Sequence, residues 1–216
     1  MKIIELKESV TVSNDRDADK LRQKMLKNGV CLVNIMSSPG AGKTTLLSKT
    51  VSDLKNDLTV AVIEADIASD VDAVKFEDLG VKSIQAHTDG MCHMDAGMTE
   101  RALDEMGYSN TDLIFLENVG NLICPAEFDT GANLNVMITS VPEGDDKPLK
   151  YPLMFSTSDA LVITKIDTLP YFTFDTEKCI ERVRKLNPNI KIFPVSAKTG
   201  EGMNKWEEYL RQNLNK

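Results

Sequence analysis

The run Ser37-Ser38-Pro39-Gly40-Ala41-Gly42-Lys43-Thr44 brings glycines, a lysine and a hydroxyl together at the spacing that grips a phosphate chain. Glycines let main-chain N–H groups converge on phosphate oxygens with no Cβ in the way, and a helix amino terminus adds partial positive charge. In this chemistry Lys43 reaches the β- and γ-phosphates and the Thr44 hydroxyl binds Mg²⁺. Ser38, Pro39, Gly40, Ala41, Gly42 and Thr45 complete the cradle. The first position of the G-x-x-x-x-G-K-[ST] pattern holds Ser37 in place of glycine. The intact Gly40–Thr44 core, with a strand pattern before it and a helix pattern after it, outweighs that departure.

Two later segments read the base. Asp167, in Thr164-Lys165-Ile166-Asp167, can accept from both N1–H and the exocyclic amine of guanine, whereas adenine leaves such a carboxylate unpaired. The Lys165 stem can lie along the base plane, and a backbone N–H near Ala197, in Ser196-Ala197-Lys198, can meet guanine O6. The nucleotide is therefore read as GTP or GDP. Thr164 departs from the Asn usual at that place, which weakens the local network without reversing the preference. For Mg²⁺ the oxygen ligands are Thr44, Asp66, Glu117 and Asp72, with neighbouring Asp70 more simply a helix N-cap. Lys43, Thr44, Asp66 and Glu117 form the catalytic set. Gly120 follows Glu117 at the spacing where a backbone N–H senses a γ-phosphate. No glutamine that would position water and no arginine finger can be assigned, so slow turnover is expected.

The chain has four cysteines, too few and too scattered for a disulfide framework in a reducing compartment. Cys31 and Cys179 lie in apolar patterns and read as core. Cys92, His93 and Cys124 fall in loops after strands and suit Ni²⁺ or Zn²⁺, although the spacing alone favours core packing, since buried cysteines are common core residues. Three ligands do not close a metal shell, so water, a partner or a second subunit would complete it. His87 ends a strand and reads as structural or surface.

These residues need a scaffold. Apolar runs at Val30–Met36, Leu58–Glu64, Val81–Ala86, Leu113–Glu117, Val136–Val141, Ala160–Thr164 and Ile190–Val195 alternate with helix patterns at Thr44–Asn56, Val71–Leu79, Ala96–Met106, Thr176–Leu186 and Met203–Asn213. That alternation predicts an α/β fold: a three-layer P-loop NTPase whose mostly parallel sheet is covered by helices on both faces. A leading helix over Asn14–Asn28, with Asn14 as N-cap and Gly29 as stop, precedes the first strand. Residues 1–28 are read as an amino-terminal extension and residues 29–216 as the P-loop domain carrying the metal loops. With 33 acidic and 25 basic side chains the net charge is −8, which argues against nucleic-acid binding. No apolar stretch suits a signal peptide or a membrane span, so a cytoplasmic protein is expected.

The segments SSPGAGKTT (37–45), GMCHMD (90–95), ENVGNLICPAEFD (117–129), EGDDKPLKY (143–151), TKIDTLPY (164–171) and SAKTGEGMNKW (196–206) together resemble the HypB family of accessory GTPases for [NiFe]-hydrogenase. The Cys-Pro in the third segment is the most specific mark. The resemblance implies GTP hydrolysis coupled to dimerisation and metal transfer. It also implies a Ni²⁺ or Zn²⁺ site of Cys92, His93 and Cys124 near a homodimer interface, with a HypA-type metallochaperone and the hydrogenase large-subunit precursor as partners. Residues 1–28 contain no Cys and no His, so the nickel-storing amino terminus of some members is absent from them. Competing readings are a related accessory GTPase for urease or a cobalamin enzyme, against which the Cys-Pro and Asn-Val-Gly-Asn contexts argue, and a non-enzymatic metal-binding scaffold. A small-molecule kinase is disfavoured, because no arginine-rich lid follows the core strands.

Overall fold

The computed structural model describes residues 6–66 and 73–214. Seven strands among them form one sheet in the order β3-β2-β4-β1-β5-β6-β7, and every neighbouring pair is parallel. They are β1 (Cys31–Ser37), β2 (Val60–Asp66), β3 (Lys82–His87), β4 (Leu113–Glu117), β5 (Leu134–Ser140), β6 (Ala160–Thr164) and β7 (Lys191–Pro194). Each lies within two residues of its predicted position. β1, β4 and β6 are buried along their whole length, as strands covered on both faces must be.

One face of the sheet carries α2 (Lys43–Leu54), α3 (Ala73–Asp78) and α9 (Met203–Gln212), whose Leu46, Leu47, Phe76 and Trp206 meet Val33, Ile35 and Phe115. The opposite face is covered in two halves. α1 (Leu6–Lys27) and α4 (Ala96–Met106) bring Leu21, Met25, Leu103 and Met106 onto Leu32, Ile63 and Ile114. α7 (Pro152–Ser156) and α8 (Thr176–Leu186) bring Phe155 and Val183 onto Met137 and Leu161. Like α7, the one-turn helices α5 (Cys124–Glu127) and α6 (Lys147–Lys150) lie outside the predicted patterns; all three have proline in the first turn, where the missing N–H is not needed. Cys31 and Cys179 are buried as expected, and burial pushes their thiols up to about 12 and about 11.

The leading helix differs from its predicted form. It begins at Leu6, so Asn14 lies inside it and caps nothing on α1. The Asn14 amide instead works between other elements: Oδ1 accepts the Ala96 N–H (3.0 Å) at the start of α4, and Nδ2 donates to the Asp129 carbonyl (2.9 Å). On the same helix Arg22 donates to the Asp129 carboxylate (2.6 Å) and, through Nε, to the Ala132 carbonyl (2.9 Å). Between these anchors Gly131 has φ +78°, and a Cβ there would lie 2.9 Å from Leu21 Cβ.

Trp206 Nε1 donates to Thr50 Oγ1 (3.0 Å), joining α9 to α2. Beside that contact, burial and the Asp53 carboxylate push the Glu207 carboxyl up to about 7, against the pull of Lys49 and Arg211. The folded chain thus keeps a proton that the unfolded chain releases near the ordinary value of 4.5, so stability falls as pH rises from there through about 7. Glu207→Gln should remove this loss: its melting temperature relative to wild type rises between about pH 5 and about pH 8. Gly131→Ala should lower stability by about 2–4 kcal/mol in denaturant titration, combining left-handed backbone strain with overpacking against Leu21.

Candidate nucleotide and metal site

Parallel strands deliver their carboxyl ends to one edge of the sheet, and the motif residues gather there. Ser37 is the last residue of β1, in extended backbone that has no need of glycine. Its buried hydroxyl donates to the Ser38 carbonyl (2.6 Å) and accepts from Lys43 Nζ (3.0 Å), so the departure from glycine gives the loop lysine a resting partner. The following chain turns through Gly40 (φ +77°) and Gly42 (φ +95°) into α2. Thr44 Oγ1 donates to Glu117 Oε1 (2.9 Å), pairing two of the Mg²⁺ candidates across the β1–β4 edge. Pro39 packs on Gly120 so closely that a Cβ on the glycine would lie 3.1 Å from Pro39 Cγ.

The predicted base-reading residues stand on the other side of the loop. Thr164 Oγ1 donates to the Ala41 carbonyl (2.6 Å), so the threonine in place of asparagine still ties its strand to the phosphate loop. Lys165, left-handed at φ +60°, donates from Nζ to the Gly40 carbonyl (2.8 Å). Ser196 Oγ donates to Asp167 Oδ1 (2.7 Å) and accepts the Thr199 N–H (3.1 Å), which joins the two base segments. Ala197 follows half-buried and Lys198 exposed, while Thr45 is exposed in the first turn of α2.

Glu143 is a residue the motif reading did not assign. One of its oxygens accepts from the Ser140 N–H (2.9 Å) and hydroxyl (2.8 Å) in a capping box, and the other accepts from the Ser38 hydroxyl and pairs with Lys147 (3.2 Å). The Ser140-x-x-Glu143 spacing at a strand end was its local signal. Asp72 and Asp70 lie outside the described residues; of Asp66 only the backbone is described, at the end of β2.

Cys92 and His93 lie between β3 and α4, and Cys124 opens α5 after β4. Asp95 caps α4 by accepting the Met98 N–H (2.7 Å), as its position predicts. The three ligand atoms all lie within 4.8 Å of one another. The free thiols of Cys92 and Cys124 are 2.7 Å apart, and Cys92 Sγ is 4.0 Å from His93 Nδ1. The hydrogen bond from Cys92, then burial, raise the Cys124 thiol above its ordinary range, so proximity to a helix start does not lower it here. His93 is 4% exposed and stacks on Phe128 at 3.9 Å; burial lowers its pKa, opposed by Asp95 and Glu127. Its Nε2 is buried with no hydrogen-bond partner among the described residues. Two sulfurs and an orphaned imidazole nitrogen fit a borderline-soft divalent cation, although tetrahedral thiolates at about 2.3 Å from zinc stand about 3.7 Å apart, so the sulfurs must part by about 1 Å. His87 is exposed at the end of β3.

Residues 31–194 match the family model described as "CobW/HypB/UreG, nucleotide-binding domain". The hydrogenase maturation factor HypB of Azotobacter chroococcum is 43% identical over 98% of this chain and 69% of its own length. The chain belongs to the HypB family. A HypB of Helicobacter hepaticus, described as a hydrogenase/urease maturation factor, is 41% identical over 98% of this chain and 88% of its own length. The crystal structure of HypB from Helicobacter pylori in complex with nickel superimposes with a TM-score of 0.88 at 38% identity, covering 94% of this chain and 95% of that one. The three-layer P-loop architecture is therefore that of HypB.

In this HypB-family chain the predicted residues form two groups bridged by one loop, residues 117–124. Its Glu117 and Gly120 touch the phosphate loop and its Cys124 touches Cys92. Sequence reasoning missed a network of three asparagines, Asn118 in that loop with Asn34 and Asn135 beneath it, of which Asn118 and Asn34 are fully buried and Asn135 half-buried. Asn118 Oδ1 accepts the N–H groups of Val119 (2.9 Å) and Met94 (3.1 Å), and Asn118 Nδ2 donates to Asn34 Oδ1 (3.0 Å). Asn34 Nδ2 in turn donates to Asn135 Oδ1 (3.0 Å).

Thr164→Val keeps the shape and removes the bond to Ala41. Nucleotide affinity should weaken about tenfold, equivalent to about 1.4 kcal/mol, in a fluorescent-nucleotide titration, with little change in the folded structure.

Proposed function

We propose that this chain is a GTP-hydrolysing nickel metallochaperone that assists nickel insertion into the [NiFe]-hydrogenase large subunit, and that nucleotide state governs its dimerisation and metal transfer. The observation that carries the proposal is the loop 117–124, which meets Thr44 at one end and Cys92 at the other. A loop shared by two sites makes their ligands reciprocally linked whenever one ligand moves it.

In this reading the phosphate-loop amides and Lys43 hold the β- and γ-phosphates, while Asp167 with Ser196, Ala197 and Lys198 selects guanine. Thr44, Asp66, Asp72 and Glu117 supply the oxygens for Mg²⁺, which when bound neutralises charge on the phosphates. Water attacks the γ-phosphorus, the bond to the β–γ bridging oxygen breaks, and GDP and inorganic phosphate leave. With no assignable glutamine or arginine finger, turnover is slow until a partner contributes. The cargo, Ni²⁺ with Zn²⁺ as competitor, is held by Cys92, His93 and Cys124.

The incomplete ligand set supports a homodimer interface near the metal. So do the exposed apolar side chains Met91 and Ile123, each immediately before a ligand cysteine, at 46% and 58% exposure. A HypA-type metallochaperone and the large-subunit precursor are the proposed donor and acceptor, in a cytoplasm that keeps the thiols reduced. Residues 1–28 are an extension of the GTPase domain at 29–216, a reading supported by the α1 anchors to Asp129 and Ala132. The dual description of the Helicobacter hepaticus relative makes a urease client the second reading; nickel delivery to each apoprotein separates them.

Nickel affinity should differ between the GDP-bound protein and the protein with a non-hydrolysable GTP analogue, measured by chelator competition. Equal affinities would overturn the coupling. Cys124→Ala should lose one metal per dimer, and unchanged stoichiometry would remove Cys124 from the ligand set.

A further inference from the structure

The Asn118 amide is spent entirely inside the protein. It is 0% exposed, its backbone N–H donates to the Ile35 carbonyl (3.0 Å) on β1, and its side chain uses both ends. An amide at such a position is not needed for packing, because an unpaired polar group there costs about 1–3 kcal/mol where an apolar residue costs nothing. What the amide does hold is specific. Oδ1 fixes the N–H of Met94, the residue after His93, while Nδ2 is braced against Asn34 in the centre of the sheet.

Its place in the chain gives that grip a direction. Asn118 follows Glu117, which accepts from Thr44 of the phosphate loop, and precedes Gly120, which packs on Pro39. On the far side of Gly120, Asn121 Nδ2 donates to the Cys92 carbonyl (3.4 Å), a longer and weaker contact. Displacement of Gly120 by a ligand on the phosphate loop is therefore passed to the Cys92–Met94 segment through side-chain amides, the stronger of them Asn118. The Asn34–Asn135 pair behind it keeps Asn118 from yielding toward the core.

We propose that Asn118 is a positioning residue that transmits phosphate-loop occupancy to His93, so that the nucleotide dependence of nickel affinity passes through its Oδ1 contact with the Met94 N–H. The inference rests on the coupled-GTPase reading above.

The test is nickel affinity of the full chain by chelator competition, with Mg²⁺ and either GDP or a non-hydrolysable GTP analogue, for wild type and Asn118→Ala. The variant keeps Cys92, His93 and Cys124. It is expected to bind nickel at wild-type stoichiometry while the ratio of the two affinities falls at least twofold from the wild-type value toward one. A purely structural role would lower the melting temperature and leave the ratio alone. If Asn118→Ala does not fold, Asn34→Ala unbraces the same amide from behind and should shrink the ratio at least twofold. A ratio above one in wild type that the folded variant preserves overturns this inference alone. A wild-type ratio of one overturns the coupling itself and this inference with it.

Discussion

Gly120 stands so close to Pro39 that even a Cβ there would be tighter than ordinary contact with the phosphate loop, and this contact sets how far the chain leaving β4 sits from the nucleotide cradle. The arrangement of both sites follows from it. Glu117 is held within reach of Thr44 on one side of the glycine, and Cys124 within reach of Cys92 on the other. Because β4 lies beside β1 in the sheet, this loop must emerge next to the phosphate loop, and parallel pairing brings both out on the same edge.

The cradle itself is held by hydrogen bonds that leave little slack. Carbonyls of Gly40 and Ala41 are taken by Lys165 and Thr164, the Ser38 hydroxyl by Glu143, and the Lys43 ammonium meets Ser37. Donors that take up these carbonyls hold the loop in one conformation. Preorganisation of this kind reduces the ordering that binding requires. The candidate metal site is less finished: its sulfurs are drawn together, and the His93 ring is packed on Phe128 with Nε2 unpartnered among the described residues.

The phosphate loop and the sheet were legible in the sequence because their signals are local. Glycine and lysine spacing states its own chemistry, and buried parallel strands read as unbroken apolar runs. Asn14 was misread for the same reason. An Asn before an apolar repeat has the local signature of a cap, yet its amide bonds to Ala96 and Asp129, 82 and 115 positions away. The chain around Val10, Thr11 and Val12 also hid the true start of α1, since β-branched residues are weak helix formers that tertiary anchoring overrides. The Asn34, Asn118 and Asn135 network was illegible because it depends on β4, β1 and β5 being neighbours. That order belongs to the sheet and not to the chain.

The Asn14 bridge also bears on the two loops that carry the candidate metal ligands. It joins the start of α4, three residues past His93, to the turn after Phe128, five residues past Cys124. Each loop is thus tied to the same helix by a bond of its own, and Arg22 adds further bonds on the Asp129 side. Detachment of that helix removes a bond from each loop, so their local opening is linked through α1. The amino-terminal helix, which carries no cysteine and no histidine, thus helps to set the stability of the two loops that hold the candidate ligands.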